Sequence, residues 1–439
     1  MSHPTKSLHK ERSAIPRGTP AATRGSKVVP FARRVDAGRW PDIAAVPHRP
    51  LRAGAARQLF RRATARIALR VAESDRHWYG GGTGTDPVMR LVRPDAFYHR
   101  LGDSGTIGFG EAYMAGDWTT EDLPGVLAAF AANLHSAIPP VLQRFRHAVL
   151  SRQPRHHDNT IEGARANIHQ HYDLSNELFK VFLDETMTYS SAIFAGDPAH
   201  STDSLADAQR RKIDRLLDAA GVGEGTRLLE IGTGWGELAL RAAARGADVT
   251  TLTISTEQAD LADERIAAAG MTDRITVLLQ DYREVRGRYD AVVSVEMIEA
   301  VGADHWAEYF AAIDRVLVPG GRVGLQAILQ DDRTVRATKD TYTWIRKYIF
   351  PGGQLASLEA IQRTLAAHTS LSIADRYSFN KHYAQTLHRW RMTFEEHATE
   401  VAELSFDETF RRMWSLYLAY SEAGFRTGYL DVQQMTLVK

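Results

Sequence analysis

Thr226-Arg-Leu-Leu-Glu-Ile-Gly-Thr-Gly-Trp-Gly236 is the stretch around which the chain is organised. Leu228, Leu229 and Ile231 form a short apolar run, the pattern of a buried strand, with Glu230 inside it. Gly232, Gly234 and Gly236 follow at alternate positions. Glycines there let the backbone turn sharply and let a ligand approach where a Cβ would collide. Glu237 to Arg245 is rich in Ala and Leu and reads as a helix. Strand, glycine turn and helix make the first half of a nucleotide-binding βαβ unit, although such a motif alone often marks only a tight turn.

The next strands narrow the cofactor. Asp248 to Ile254 reads as a second strand, and Ser255-Thr-Glu-Gln258 opens a helix. A dinucleotide site places an acid near the end of this strand for the ribose hydroxyls. Here the strand ends in Thr253, Ile254 and Ser255, and the glycines are spaced G-x-G-x-G. Both features argue against NAD. An acid just before the first glycine, Glu230, is the usual mark of S-adenosylmethionine (SAM) methyltransferases. A third strand, Ile275 to Leu279, leads to Asp281 and Tyr282, where an acid and a ring can meet an adenine. A fourth, Asp290 to Val295, leads to Glu296-Met-Ile-Glu299. A fifth, Arg322 to Ile328, follows Pro319-Gly-Gly321. This rhythm predicts an α/β fold: a Rossmann-like, mostly parallel sheet with helices on both faces.

The totals set bounds. At 439 residues the chain has room for more than one domain. A net charge of +1 excludes a grossly basic nucleic-acid binder. There is no cysteine, so disulfides, thiolate metal sites and a cysteine nucleophile are excluded. No apolar run approaches the roughly 18 residues that span a bilayer, and the first residues lack the apolar core of a secretory signal. Together these point to a cytoplasmic protein.

Three segments are predicted. Residues 1–38 read as a disordered basic tail, with an arm drawn to anionic lipid as the sharper reading. Residues 39–150 read as a smaller, mainly helical N-terminal domain that engages lipid. In it, Arg52 to Val71 has Leu59, Phe60, Ile67 and Val71 on one helical stripe beside six arginines, which fits either a helix lying on a membrane or a packed helix with a solvated basic face. Gly105-Thr-Ile-Gly-Phe-Gly110 looks too glycine-rich for a helix. Ser151 to Asn159 is the best linker candidate. Its His156 and His157 lack further ligands, so no metal site is predicted. Residues 160–439 read as the methyltransferase domain. Lys339 to Gly353 is dense in aromatics, which suits either a pocket wall or core packing.

Taken together, these motifs resemble the cyclopropane-fatty-acid synthase family of SAM-dependent lipid methyltransferases. The match runs from about residue 88 to the C-terminus and includes Gly108-Phe-Gly-Glu-Ala-Tyr-Met-Ala-Gly-Asp-Trp118, His171-Tyr-Asp-Leu-Ser-Asn-Glu-Leu-Phe179 and Lys347-Tyr-Ile-Phe-Pro-Gly-Gly353. Within the family, Ser294-Val-Glu-Met-Ile-Glu-Ala-Val-Gly302 and Tyr420-Ser-Glu-Ala-Gly-Phe-Arg426 are most similar to the actinobacterial branch that makes tuberculostearic acid. That branch converts an oleoyl chain on a phospholipid into a 10-methylene chain, which a flavin-dependent reductase then saturates. The resemblance implies a homodimer, located peripherally on the inner face of the cell membrane.

The resemblance also implies site residues. Tyr189 and Ser190, the loop Gly232, Thr233 and Gly234, the segment Thr253, Ile254 and Gln258, and the pair Asp281 and Tyr282 would contact SAM. A bicarbonate ion in this family is bound by a Cys, a Glu, a His and a Tyr. The matching positions are Ser191, Glu299, Gln326 and Tyr383, so the Cys and the His are absent here. The base implied is bicarbonate on Glu299 and Tyr383, with Gln326 and Glu296 setting the product. Tyr342, Trp344 and Tyr348 would face a carbocation. A cyclopropane-forming enzyme, a small-amine N-methyltransferase and a non-catalytic membrane-binding module are the alternatives.

Overall fold

Five parallel strands set the position of everything else. In the computed structural model, which describes residues 35–133, 175–339 and 341–439, a seven-stranded sheet has the order β10-β11-β9-β8-β5-β6-β7. Its strands are β5 (Arg227–Ile231), β6 (Asp248–Thr253), β7 (Ile275–Leu279), β8 (Tyr289–Val295), β9 (Leu317–Leu329), β10 (Ser372–Ser378) and β11 (Asp431–Val438). The pairs β5–β6, β5–β8, β6–β7 and β8–β9 are parallel. The C-terminal strand β11 is inserted antiparallel to β9, and β10 pairs antiparallel with β11 at the edge. The strand order reverses between β5 and β8, and ligands of open α/β sheets bind at the carboxyl ends beside such a reversal. Glycine loop, Glu296 and Glu299 all follow those two strands.

The parallel strands are near-continuous apolar runs because helices cover both faces. One core joins β5 and β8 to Ile213, Leu216, Leu217, Ala239 and Ala242, and a second joins Leu229, Val292 and Leu325 to Tyr309, Phe310 and Ile313. The apolar stripe of Leu205–Ala220 follows from its spacing: Ile213, Leu216, Leu217 and Ala220 recur every three or four residues and are all buried. Ser204 caps its N-terminus by accepting from Asp207 N at 3.0 Å, and Gly221, left-handed at φ 72°, ends it.

Ahead of this sheet, residues 70–119 form a four-stranded sheet of order β2-β1-β3-β4: β1 (Arg70–Ser74), β2 (His77–Tyr79), β3 (Val88–Leu91) and β4 (Trp118–Thr119). The helix predicted over 52–71 therefore stops at Thr64, and Arg70 and Val71 belong to a strand. Leu59 is exposed, while Phe60 packs edge-on against Phe97 at 5.1 Å. Arg57 and Arg61 both pair with Glu73, an acid from outside the helix that the helical reading did not place beside them.

Residues 106–114 form a helix, contrary to the reading of 105–110 as too rich in glycine. Its glycines are where neighbours press closest. A Cβ on Gly108 would lie 1.9 Å from the Arg100 carbonyl oxygen, and one on Gly110 would lie 2.4 Å from the Trp344 ring. Packing has overridden propensity here.

Residues 35–439 form one compact unit. The N-terminal elements share a core with the C-terminal helices Asn380–Glu396 and Glu408–Arg426. Arg412 Nε donates to the Tyr113 carbonyl at 2.6 Å, and Trp40 Nε1 donates to Asp407 at 2.7 Å. Lys347 and the Tyr348 hydroxyl both reach Glu111, at 2.7 and 2.8 Å. The basic tail up to residue 34, the linker at 151–159 with His156 and His157, and residues 171–174 of the 171–179 motif lie outside the described residues.

Candidate active site

The glycine loop is built for a close ligand. Gly232 sits at φ 98°, and a Cβ there would meet the Met297 side chain at 2.7 Å. Gly234 is also left-handed, and a Cβ there would find no neighbour within 4 Å, so the loop faces open space. Glu230, on the strand just before the loop, is buried. Its Oε2 accepts from the Thr251 hydroxyl at 2.6 Å, and the Thr251 and Thr233 hydroxyls lie 2.7 Å apart. Burial pushes the Glu230 carboxyl up to about 8. Glu230 thus braces the loop from behind.

The other residues expected at a cofactor lie around the same sheet edge. Thr253 donates its hydroxyl to Gln258 Oε1 at 2.9 Å, across the turn that holds Ile254. Asp281 is buried and held by Arg283, whose Nε and Nη2 each approach it at 2.8 Å. Tyr282 packs edge-on against Tyr309 at 5.3 Å. Between the glycine loop and the C-terminal helices runs the segment 188–192. Within it, the Tyr189 hydroxyl lies 2.7 Å from that of Tyr417, and its ring packs on Phe179 and Trp390.

Three of the residues singled out for the reaction converge on the carboxylate of a fourth, Glu296. Glu296 Oε1 accepts from Ser191 N at 3.0 Å and from Gln326 Nε2 at 2.8 Å. Glu296 Oε2 accepts from the Tyr383 hydroxyl at 2.7 Å. Gln326 is oriented in turn by Gln434, whose Nε2 donates to Gln326 Oε1 at 3.1 Å. Burial raises the Glu296 carboxyl above its ordinary value, and the three donors oppose that. Its backbone is left-handed at φ 53°. A non-glycine residue held there costs about 1–3 kcal/mol and persists where its surroundings over-determine it.

Glu299 is placed differently. One oxygen accepts from Ile328 N, and the other, Oε2, is buried with no hydrogen-bond partner. Burial and the neighbouring Glu296 push its carboxyl up to about 8. Three donors on Glu296 against one on Glu299 favour the charged form at Glu296 over Glu299.

Comparison with known proteins gives the family. Residues 159–435 match the family model for mycolic acid cyclopropane synthetase. The chain belongs to this family. It is 50% identical over 411 residues to the tuberculostearic acid methyltransferase UfaA1 of Mycobacterium tuberculosis, covering 92% of this chain and 96% of that protein. It is 32% identical to the cyclopropane-fatty-acyl-phospholipid synthase of Escherichia coli, over 80% of this chain and 88% of that one. Among solved structures, the mycolic acid cyclopropane synthase CmaA1 complexed with SAH and CTAB superposes with a TM-score of 0.58 at 30% identity, covering 65% of this chain and 99% of the other. The protein is accordingly a SAM-dependent methyltransferase with the class I fold.

As a cyclopropane synthetase family member, the chain departs from the expected site in two places. Of the donors implied for bicarbonate, the Gln326 amide and the Tyr383 hydroxyl are engaged by Glu296, while the Ser191 hydroxyl donates to the Ala192 carbonyl at 3.1 Å. The implied ion and this carboxylate compete for the same atoms, so no step is routed through bicarbonate. Second, Trp344 and Tyr348 are used in packing. Trp344 is buried on Gly110 and its Nε1 donates to Met114 Sδ at 3.4 Å, while Tyr348 is bound to Glu111. The rings that do surround Glu296 come from the C-terminal helices. Tyr383 stacks on Phe425 at 4.4 Å and meets Trp390 edge-on at 6.3 Å.

Sequence reasoning did not find Gln209, Lys212, Thr386 or Gln434. Thr386 Oγ1 accepts from Ala192 N at 3.1 Å, and Gln209 Nε2 donates to the Ser190 carbonyl at 2.8 Å. One signal was available: Gln209 and Lys212 are polar residues three apart on the otherwise apolar stripe of their helix.

Proposed function

We propose that this enzyme methylates the double bond of an oleoyl chain on a membrane phospholipid and releases a 10-methylene chain, the precursor of tuberculostearic acid. The observation that carries this reading is the buried carboxylate of Glu296 held by three donors, in a chain half identical to a tuberculostearic acid methyltransferase. SAM, when bound, supplies an electrophilic methyl group on a sulfonium.

An isolated alkene is a weak nucleophile, so position matters most. Holding the reacting atoms in line contributes about 7–11 kcal/mol in well-oriented systems. The alkene π pair forms the new C–CH₃ bond as the C–S bond breaks, which leaves a cation on the neighbouring carbon. A hydride shift moves the cation to the methylated carbon. Glu296 then accepts a proton from the new methyl group, and the C–H pair becomes the exocyclic double bond. The surrounding rings, Tyr383, Trp390, Phe425 and Tyr417, keep water from the cation and offer it their π faces. The base is fixed by its three donors.

The lipid surface has its own support. The outer face of the four-stranded sheet carries Trp78, Ala72 and Arg90 in one row, with Arg70 beside them. Trp78 is 43% exposed and lies under both guanidinium groups, at 5.9 Å from Arg70 and 5.6 Å from Arg90. An exposed indole flanked by cations suits the head-group region of anionic lipid. Among the described helices none is long and apolar enough to cross a membrane, which fits a peripheral enzyme at the inner face. Its methylene product would then pass to a flavin-dependent reductase.

Expression in a host lacking this pathway tests the reading. The expected result is a fatty acid heavier by one CH₂ whose proton NMR shows vinylidene signals. Ring protons at high field would select the cyclopropane alternative. No mass gain with oleate-rich lipid and SAM present would reject both.

A further inference from the structure

Lys212 is a charged side chain with no place in the chemistry so far. It is 1% exposed, on the helix Leu205–Ala220, and faces the sheet. Its Nζ donates to Ser190 Oγ at 2.7 Å. One turn earlier, Gln209 Nε2 donates to the carbonyls of Ser190, at 2.8 Å, and Thr188, at 3.3 Å. The Lys212 carbonyl accepts from Gln434 Nε2 at 3.0 Å, and the same nitrogen reaches Gln326, which donates to Glu296. One helix turn therefore grips the segment 188–190 from one side, while Glu296 grips the next residue, Ser191, from the other.

We infer that Lys212 is a positioning residue, holding the Ser190 hydroxyl as a hydrogen-bond donor aimed away from the helix and toward the cofactor. This rests on the reading that Tyr189 and Ser190 line the SAM site. An ammonium group has three donors and no acceptor. Ser190 Oγ must accept from it, so the Ser190 proton has to point elsewhere. A buried lysine is costly to keep unless its charge is used. The acids that face it, Glu296, Asp184 and Glu230, favour its charged form, while burial lowers it to about 8. Its charge also balances the anion on Glu296, which lies on the far side of the same segment.

The test is a double-mutant cycle on SAM affinity, measured by calorimetry on the full chain. Lys212→Met keeps the length and apolar body of the side chain and removes the donor. It should weaken SAM binding about 10-fold, with a smaller change in the KM for lipid. Ser190→Ala should weaken it similarly. The double variant should be no worse than either single one, because both remove the same contact. Thermal melting checks that Lys212→Met folds. If it does not, Ser190→Ala alone decides, since SAM affinity within twofold of wild type there would show that no hydroxyl is aimed at the cofactor. SAM affinity within twofold of wild type in Lys212→Met, or losses that simply add, would overturn the inference. A wild-type chain that fails to bind SAM would instead overturn the reading beneath it.

Discussion

The Tyr383 hydroxyl lies 2.7 Å from Glu296 Oε2, and the two residues are 87 positions apart in the chain. The contact joins the turn after β8 to a helix from the C-terminal third, so the base and the ring that orients it arrive from different parts of the fold. Glu296→Gln should abolish turnover while leaving SAM binding intact. General-base catalysis is worth about 10²–10⁴-fold, and a loss below tenfold would remove Glu296 from the mechanism. Tyr383→Phe takes away one donor to the anion. The Glu296 carboxyl should then rise further, and the acid limb of the kcat/KM profile should move to higher pH.

The strained backbone of Glu296 gives a second outcome. Glu296→Gly removes the left-handed penalty at φ 53° and also empties the space between Ser191 N, Gln326 Nε2 and Tyr383 Oη. Those three donors would then face a cavity the size of a carboxylate. The variant should be inactive in anion-free buffer and melt no lower than Glu296→Ala. Added formate or bicarbonate should restore part of the activity in a saturable way. No rescue by either ion would show that the donors collapse without the side chain.

The sheet was legible because its strands are apolar runs separated by glycine turns, and β5 to β9 appear where Leu228, Val249, Ile275, Ala291 and Val323 predicted them. The edge strand β10 was not, since Ser372-Ile-Ala-Asp-Arg-Tyr-Ser378 is polar and mostly exposed. The residues of the site were legible by motif, but their grouping was not. Nothing in the spacing of Glu296 and Glu299 tells which acid meets Tyr383. That depends on the left-handed turn at Glu296, which aims one carboxylate at Ser191 and leaves the other against Ile328. Lys212 escaped because a lysine on an amphipathic helix ordinarily reads as solvated. Only the packing against Ser190 reveals it.

Glu299 should leave a mark on stability. Its carboxyl is raised from the ordinary value to about 8 in the folded chain, so the folded state holds that proton more tightly than the unfolded one. The sign follows: its contribution is complete below about pH 4.5 and is lost as pH rises through about 8. Glu299→Gln copies the neutral form and cannot ionise. Its Tm should therefore fall less than that of wild type between pH 5 and pH 8 on the scale of about one ionisation. Glu230, raised to about 8 by burial, retains its own share of the slope in both proteins. Lys212, lowered to about 8, acts in the window above that value and does not blur the comparison. Parallel Tm curves for the two proteins would mean that Glu299 is ionised in the fold.

The outer face of the small sheet makes the lipid contact testable apart from the chemistry. Arg70, Trp78 and Arg90 belong to three adjacent strands and touch none of the residues around Glu296. The variant Trp78→Ala with Arg90→Glu should sediment less with vesicles containing anionic phospholipid. Each basic residue near such a surface is worth about 1 kcal/mol, so replacing one arginine by an acid and removing the indole should weaken binding by at least tenfold. Binding should weaken further as salt rises, since exposed charges are screened within about 10 Å at 0.1 M ionic strength. SAM affinity should stay unchanged. Equal sedimentation of wild type and variant, on anionic and zwitterionic vesicles alike, would move the membrane contact to another surface of the enzyme.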